Sequence, residues 1–189
     1  MTYFSSDLHF AHAKEFIYKP RGFATVKEMN ETILKNFNSI IDEDDTLYLL
    51  GDLMLGNTEE GFNYLSQLKG HIHIILGNHD TDARIKEYRK IPNIESIEYA
   101  DLIKLKVEDK KYKFYLSHYP SHTTNIDDHG DLERVLINLY GHTHQKTNFY
   151  LDNPTMYHVG VDSHNCFPVE VNDIIKDIKE EIQDCKSFL

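Results

Sequence analysis

The chain has 189 residues, about the length of one domain. Its 40% hydrophobic and 27% charged composition is that of a globular protein, which excludes a disordered or fibrous chain. Twenty basic against 31 acidic residues leave a net charge of −11, which argues against duplex nucleic acid or an anionic membrane as partner. Histidine is the outlier: 12 residues, more than the 9 glycines, an excess that points to metal.

The first strand is expected at Tyr3–Ser5. Val26, Met29, Ile33, Phe37, Ile40 and Ile41 then recur at helical spacing, with Thr25 placed as N-cap. The acidic run Asp42-Glu43-Asp44-Asp45 reads as a solvated turn into a second strand, Leu47–Leu50, because short charge blocks are usually exposed. Further strands are expected at Ile72–Leu76, Ile103–Val107, Lys113–Leu116, Leu136–Tyr140 and near Met156–Val161. Tyr119–Asp131 is the longest polar loop. From Asn172 a closing helix carries Ile174, Ile175, Ile178 and Ile182 on one face. Short apolar runs alternating with longer amphipathic stretches predict a layered α/β fold, as a single domain over residues 1–189. Cys166 and Cys185 are too few for a disulfide framework. No secretory signal or membrane-length apolar run is visible, so a reducing, cytoplasmic location is expected.

Five polar clusters follow directly on apolar runs. They are Asp7-Leu8-His9, Gly51-Asp52, Gly77-Asn78-His79-Asp80, His118, and Gly141-His142-Thr143-His144. If the runs are strands, every cluster leaves a sheet at its C-terminal edge, where open α/β sheets place their ligands. In extended chain, Asp7 and His9 point the same way, as do His142 and His144. The donors are the carboxylates of Asp7 and Asp52, the Asn78 amide oxygen, and the imidazoles of His9, His118, His142 and His144. Seven N/O donors are too many for one tetrahedral zinc and suit two adjacent divalent ions, with Asp52 the natural bridge.

In this order DxH, GD, GNHD, a lone His and GHxH resemble the calcineurin-like metallophosphoesterases, and the match runs from Asp7 to His144. The resemblance implies a four-layer sandwich of two mixed β-sheets flanked by α-helices. It places Asp7, His9 and His144 on one metal, Asn78, His118 and His142 on the other, Asp52 between them, and His79 near the leaving group as unliganded acid. The cofactor is then two divalent transition-metal ions, manganese foremost, with iron, zinc, nickel and cobalt as alternatives. Phe4-Ser5-Ser6-Asp7-Leu8-His9 and Val159-Gly160-Val161-Asp162 look like the small bacterial and phage members.

One departure shapes the substrate reading. Family protein phosphatases carry GDxxDRG, whose Arg grips phosphate, whereas this chain reads Gly51-Asp52-Leu53-Met54-Leu55-Gly56-Asn57. The expected reaction is therefore hydrolysis of a small phosphodiester by a hydroxide bridging the metals. A phosphomonoesterase or protein phosphatase, a nuclease, and a non-catalytic metal-stabilised module stand behind it. His79 is the expected proton donor to the leaving group. His12 and Arg21 are the candidate substrate contacts, although a lone loop arginine is more often a salt bridge. His71 and His73 begin a strand far from its ligand-bearing end and read as structural. His122 and His129 fall in the polar loop, and packing roles suit His158 and His164.

Overall fold

The computed structural model describes residues 1–123, 132–151 and 153–187, the side chains of 184–187 excepted. In chain order the elements are β1 (Thr2–Ser5), α1 (Glu15–Tyr18), α2 (Val26–Ile40), β2 (Thr46–Leu50), α3 (Thr58–Leu65), β3 (His71–Ile75), α4 (Asp82–Tyr88) and β4 (Ile94–Glu98). There follow β5 (Asp101–Val107), β6 (Lys110–Leu116), a 3-10 turn (Leu132–Arg134), β7 (Leu136–Tyr140), β8 (Phe149–Tyr150), β9 (Asn153–His158), β10 (Val169–Glu170) and α5 (Val171–Ser187).

One sheet has the order β10-β1-β2-β3-β4, with β1 to β4 parallel and β10 antiparallel on the edge. The other runs β5-β6-β7-β9-β8, parallel through β6, β7 and β9 and antiparallel at both edges. Both sheets are mixed. Strand alternation sorts the apolar residues of the first sheet onto two faces. Tyr3, Leu47, Leu49, Ile72 and Ile74 meet Met29, Ile33 and Phe37 of α2 and Tyr88 of α4 in one core. Phe4, Leu50 and Ile75 turn the other way, onto Phe114, Leu116, Ile137 and Leu139 of the second sheet. The closing helix adds Ile174, Ile175 and Ile178 to this second core.

Local signals account for the longest elements. The Glu28 N–H donates to Thr25 Oγ1 (3.1 Å) and Glu28 Oε2 accepts from the Ala24 N–H, so α2 starts at the expected cap. Asp42, Glu43 and Asp44 are exposed, while Asp45 is buried and accepts the Asp42 N–H (2.9 Å), closing the turn before β2. His71 Nδ1 lies 2.6 Å from Glu95 and His73 Nδ1 lies 2.8 Å from Ser96, so both histidines tie β3 to β4 at the end remote from the ligand motifs.

His158 closes β9, buried, with Nδ1 2.8 Å from Ser163 Oγ. Burial, reinforced by neighbouring His164, lowers its pKa to about 3. The unfolded chain takes up that proton near pH 6.5, so between about 6.5 and 3 it binds more protons than the folded chain. The stabilisation from neutral His158 is therefore full above about pH 6.5 and is lost as pH falls toward 3. In denaturant titrations of chelated protein across this window, His158→Gln is expected to flatten the decline of stability with falling pH.

Candidate metal centre

The parallel strands send six loops to one edge. The exits of β1, β2 and β3 carry Asp7–His9, Asp52 and Asn78–Asp80; those of β6, β7 and β9 carry His118, His142–His144 and Asp162. Backbone bonds join the loops: Asp7 N–H to Gly51 O (2.9 Å), His9 N–H to Asp52 O (3.0 Å), Gly141 N–H to His118 O (3.0 Å) and Val161 N–H to Ser6 O (3.2 Å). Gly51 sits at φ +89°, and a Cβ there would lie 2.6 Å from both Gly77 N and His118 Nδ1, so the approach of these loops requires glycine.

The ligand pairs do not converge through extended chain, as strand alternation suggested. Asp7 (φ 57°), His9 (49°), Asp52 (56°), His142 (68°) and His144 (49°) all adopt the left-handed region. Such residues cost about 1–3 kcal/mol each and persist where the surroundings over-determine them, here the inter-loop hydrogen bonds. Five of the seven expected donors thus stand on left-handed kinks, so the loop backbone, and not the strand pleat, aims them.

Two donor groups face each other. In one, the ligand atoms of Asp7, His9 and His144 lie within 4.8 Å of one another; in the second, those of Asp52, His118 and His142 do. His9 Nε2 is 3.2 Å from His144 Nε2, and His142 Nδ1 is 3.2 Å from His118 Nε2. Asn78 Oδ1 joins the second group at 3.0 Å from His118 Nε2. Metal–ligand bonds of about 2.0–2.2 Å put neighbouring donors about 3–3.4 Å apart, so these separations fit ligands on shared ions. Tautomers agree as well. The His118 Nδ1–H donates to the Leu50 carbonyl (2.8 Å) and the His144 Nδ1–H to Asp162 Oδ2 (2.8 Å), leaving both Nε2 lone pairs turned to the site. Asp7 is fully buried, with Oδ2 accepting from Ser6 Oγ (2.6 Å) and the His142 N–H (2.9 Å), while Oδ1 has no hydrogen-bond partner. An orphaned carboxylate oxygen among inward-facing imidazoles is a cation site by its chemistry.

The electrostatics follow the same lines. Burial raises the Asp7 pKa against the pull of His144 and His118. Burial, then His144 and Arg21, push His9 well below the ordinary imidazole value, favouring its neutral form, the form a metal requires. Burial also pushes Asp52 up, but the hydrogen bond and charge of His118 and the His79 N–H outweigh it and hold the carboxylate at about 2.

His79 belongs to neither group. Its side chain is 41% exposed and Nε2 stands 3.9 Å from Asp52 Oδ2. Its backbone is pinned on both sides: the N–H donates to Asp52 Oδ1 (2.9 Å) and the carbonyl accepts from Arg84. His12 is buried beside the site, its ring packed 5.2 Å from that of His9. Arg21 requires a correction. Its guanidinium is 1% exposed and committed to Asp162 (3.0 and 2.8 Å) and the carbonyls of Asp7 (2.8 Å) and Leu8 (3.3 Å), so it braces the β1 loop and has no free edge for phosphate. His122 is exposed, and His129 lies outside the described residues.

Two residues quoted within the sequence motifs, but given no role there, act here. Asp80 runs beneath the loops, accepting from the backbone N–H groups of Gly77 and Asp52 (2.8 Å each) and from the Tyr88 hydroxyl (2.6 Å). Asp162 joins Arg21 to His144; the available signal was Val159-Gly160-Val161-Asp162, another apolar run followed by an acid. Carboxylates that orient metal-ligating histidines are typically worth 10–100-fold in metal affinity. Asp162→Asn is expected to weaken binding at the Asp7–His9–His144 group by about that factor in a metal titration.

Two mixed sheets carrying facing imidazole–carboxylate groups on their strand exits define an α/β metal-site protein. The chain belongs to the calcineurin-like phosphoesterase superfamily, whose domain model it matches over residues 3–164, and that superfamily consists of metal-dependent phosphoester hydrolases. It is similar to the uncharacterized protein MJ1445 of Methanocaldococcus jannaschii, 32% identical over 184 residues, 94% of this chain and 91% of that one. It is also similar to the gene 66 protein of Mycobacterium phage D29, 27% identical with 95% and 98% of the two chains covered. A protein of unknown function from Aquifex aeolicus, AQ665, shares the fold, with a TM-score of 0.64, 23% identity, and 93% of this chain and 98% of that chain covered. Among the described residues no helix is long and apolar enough to cross a membrane.

Proposed function

We propose that the chain is a two-metal phosphodiesterase. In this reading Asp7, His9 and His144 hold one divalent transition-metal ion, Asn78, His118 and His142 hold the second, and Asp52 is shared. The observation that carries it is the placement of Asp52 Oδ2, 3.8 Å from His9 Nε2 and 3.5 Å from His118 Nε2, within reach of both groups. Bound there, such ions lower the pKa of a coordinated water and neutralise charge on phosphoryl oxygens.

The chain's own residues supply the rest. Hydrolysis adds a water oxygen to phosphorus and breaks the bond to one ester oxygen, and that departing oxygen needs a proton. His79 Nε2 gives it and regains it from solvent; its pinned backbone and exposed ring leave the imidazole able to reach a substrate. A small diester suits the site because it carries one negative charge. Leu53-Met54-Leu55-Gly56 offers no arginine after Asp52, and Arg21 is occupied by Asp162, so neither position supplies a guanidinium to grip a dianionic monoester.

The test is turnover of bis-p-nitrophenyl phosphate and p-nitrophenyl phosphate by protein loaded in turn with manganese, nickel, cobalt and zinc. The diester is expected to be cleaved at least tenfold more efficiently with one or more of the metals. A preference for the monoester would overturn the diesterase reading, and silence on both substrates with every metal would overturn hydrolysis itself.

A further inference from the structure

Beside the donor groups lies a cavity of about 470 Å3 whose lining residues are of two chemical kinds. His9, His79, His144 and Asp162 bring ionisable groups; His12, Phe16, Ile17, Pro20 and Leu55 bring rings and apolar surface, with Lys146 as the cation in the lining. We propose that the surface formed by His12, Phe16 and Leu55 is the leaving-group subsite and that it takes a flat aromatic group attached to the ester oxygen. The proposal rests on the phosphoesterase reading and narrows its substrate class to diesters with one aromatic or similarly planar arm.

The backbone sets the direction of Phe16. α1 is a single turn, and Ile17 is buried (7% exposed) in the core with Met29 and Ile33, so the preceding side chain is thrown outward at 69% exposure. The Phe16 ring meets His12 edge-on at 5.6 Å and 89°, and His12 meets His9 at 5.2 Å and 48°. Rings therefore run without a break from a metal-site histidine to an exposed phenylalanine in the cavity wall. A lone exposed phenylalanine is commonplace on a protein surface. This one lines a concave site whose size is that of small-molecule pockets.

His79 gives that surface its place in the reaction. It lines the same cavity, so an oxygen that takes its proton departs into that space and the attached group comes to lie along His12, Phe16 and Leu55. An aromatic arm there gains ring-on-ring contact that an alkyl arm of similar size does not. Lys146 Nζ, 3.6 Å from Asp162 Oδ1 and 56% exposed, can meet an anionic substituent on that arm.

The experiment compares methyl phenyl phosphate with methyl hexafluoroisopropyl phosphate, whose leaving groups have similar acidity, on manganese-loaded wild type, Phe16→Ala and Phe16→Tyr. Wild type is expected to favour the phenyl ester about tenfold in kcat/KM, mainly through KM, the size of one stacking contact. Phe16→Ala is expected to erase most of that preference and Phe16→Tyr to keep it. Equal effects of Phe16→Ala on both esters, or none on either, overturn the proposal. Calorimetric titration with phenylphosphonate and methylphosphonate separates it from the hydrolase reading. If wild type hydrolyses nothing yet binds phenylphosphonate about tenfold tighter in a Phe16-dependent way, the subsite stands and the hydrolase reading falls. If it hydrolyses diesters with no phenyl preference in either assay, the subsite falls and the hydrolase reading stands.

Discussion

Replacing Asp52 by asparagine is expected to lower diester hydrolysis on the order of 10³-fold, since charge stabilisation by metal is worth several kcal/mol and each 1.36 kcal/mol is tenfold. The amide keeps an oxygen to accept the His79 N–H, which Asp52 Oδ1 receives at 2.9 Å, so the β3 loop retains its anchor. What disappears is the negative charge at Oδ2, the atom placed between His9 and His118. Metal analysis of the purified variant is expected to find no more than one ion per chain, against the two expected for wild type. Full activity together with two bound ions would remove Asp52 from the shared position.

His79→Ala separates proton transfer from metal binding. The imidazole lies outside both donor groups, so metal content is expected to match wild type. General acid catalysis contributes about 10²–10⁴-fold where the leaving group is poor. Turnover of an alkyl diester is expected to fall by about that factor, while a p-nitrophenyl ester, whose phenolate leaves without a proton, loses little. The measurement is the dependence of rate on leaving-group acidity, which steepens in the variant. Equal losses on both substrates would make His79 a structural residue.

Much of the site was legible because each donor motif follows an apolar run that becomes a parallel strand, and parallel strands share an exit edge. Leu136–Tyr140 and the Thr25 cap were readable for the same local reasons, strand composition in one case and capping chemistry in the other. β4, Ile94-Glu95-Ser96-Ile97-Glu98, is a half-polar edge strand without a clear apolar run, and β8 and β10 are two residues each. α3 and α4 span only eight and seven residues, too short for helical periodicity to emerge.

The left-handed kinks at Asp7, His9, Asp52, His142 and His144 could not be read from residue type, because backbone bonds between loops distant in sequence impose them. Arg21 and Asp162 illustrate the same limit. They are 141 positions apart, so the pair that converts a candidate phosphate contact into a brace for His144 exists only in the folded chain.

The proposed chemistry stands or falls on two ions sharing Asp52. A crystal structure of manganese-loaded protein, with anomalous scattering measured at the metal edge, tests this at the site itself. Two peaks about 3.5–4 Å apart are expected, one among Asp7, His9 and His144 and one among Asn78, His118 and His142, with Asp52 touching both. A single peak, or a second peak away from Asn78, His118 and His142, would contradict the shared-carboxylate centre.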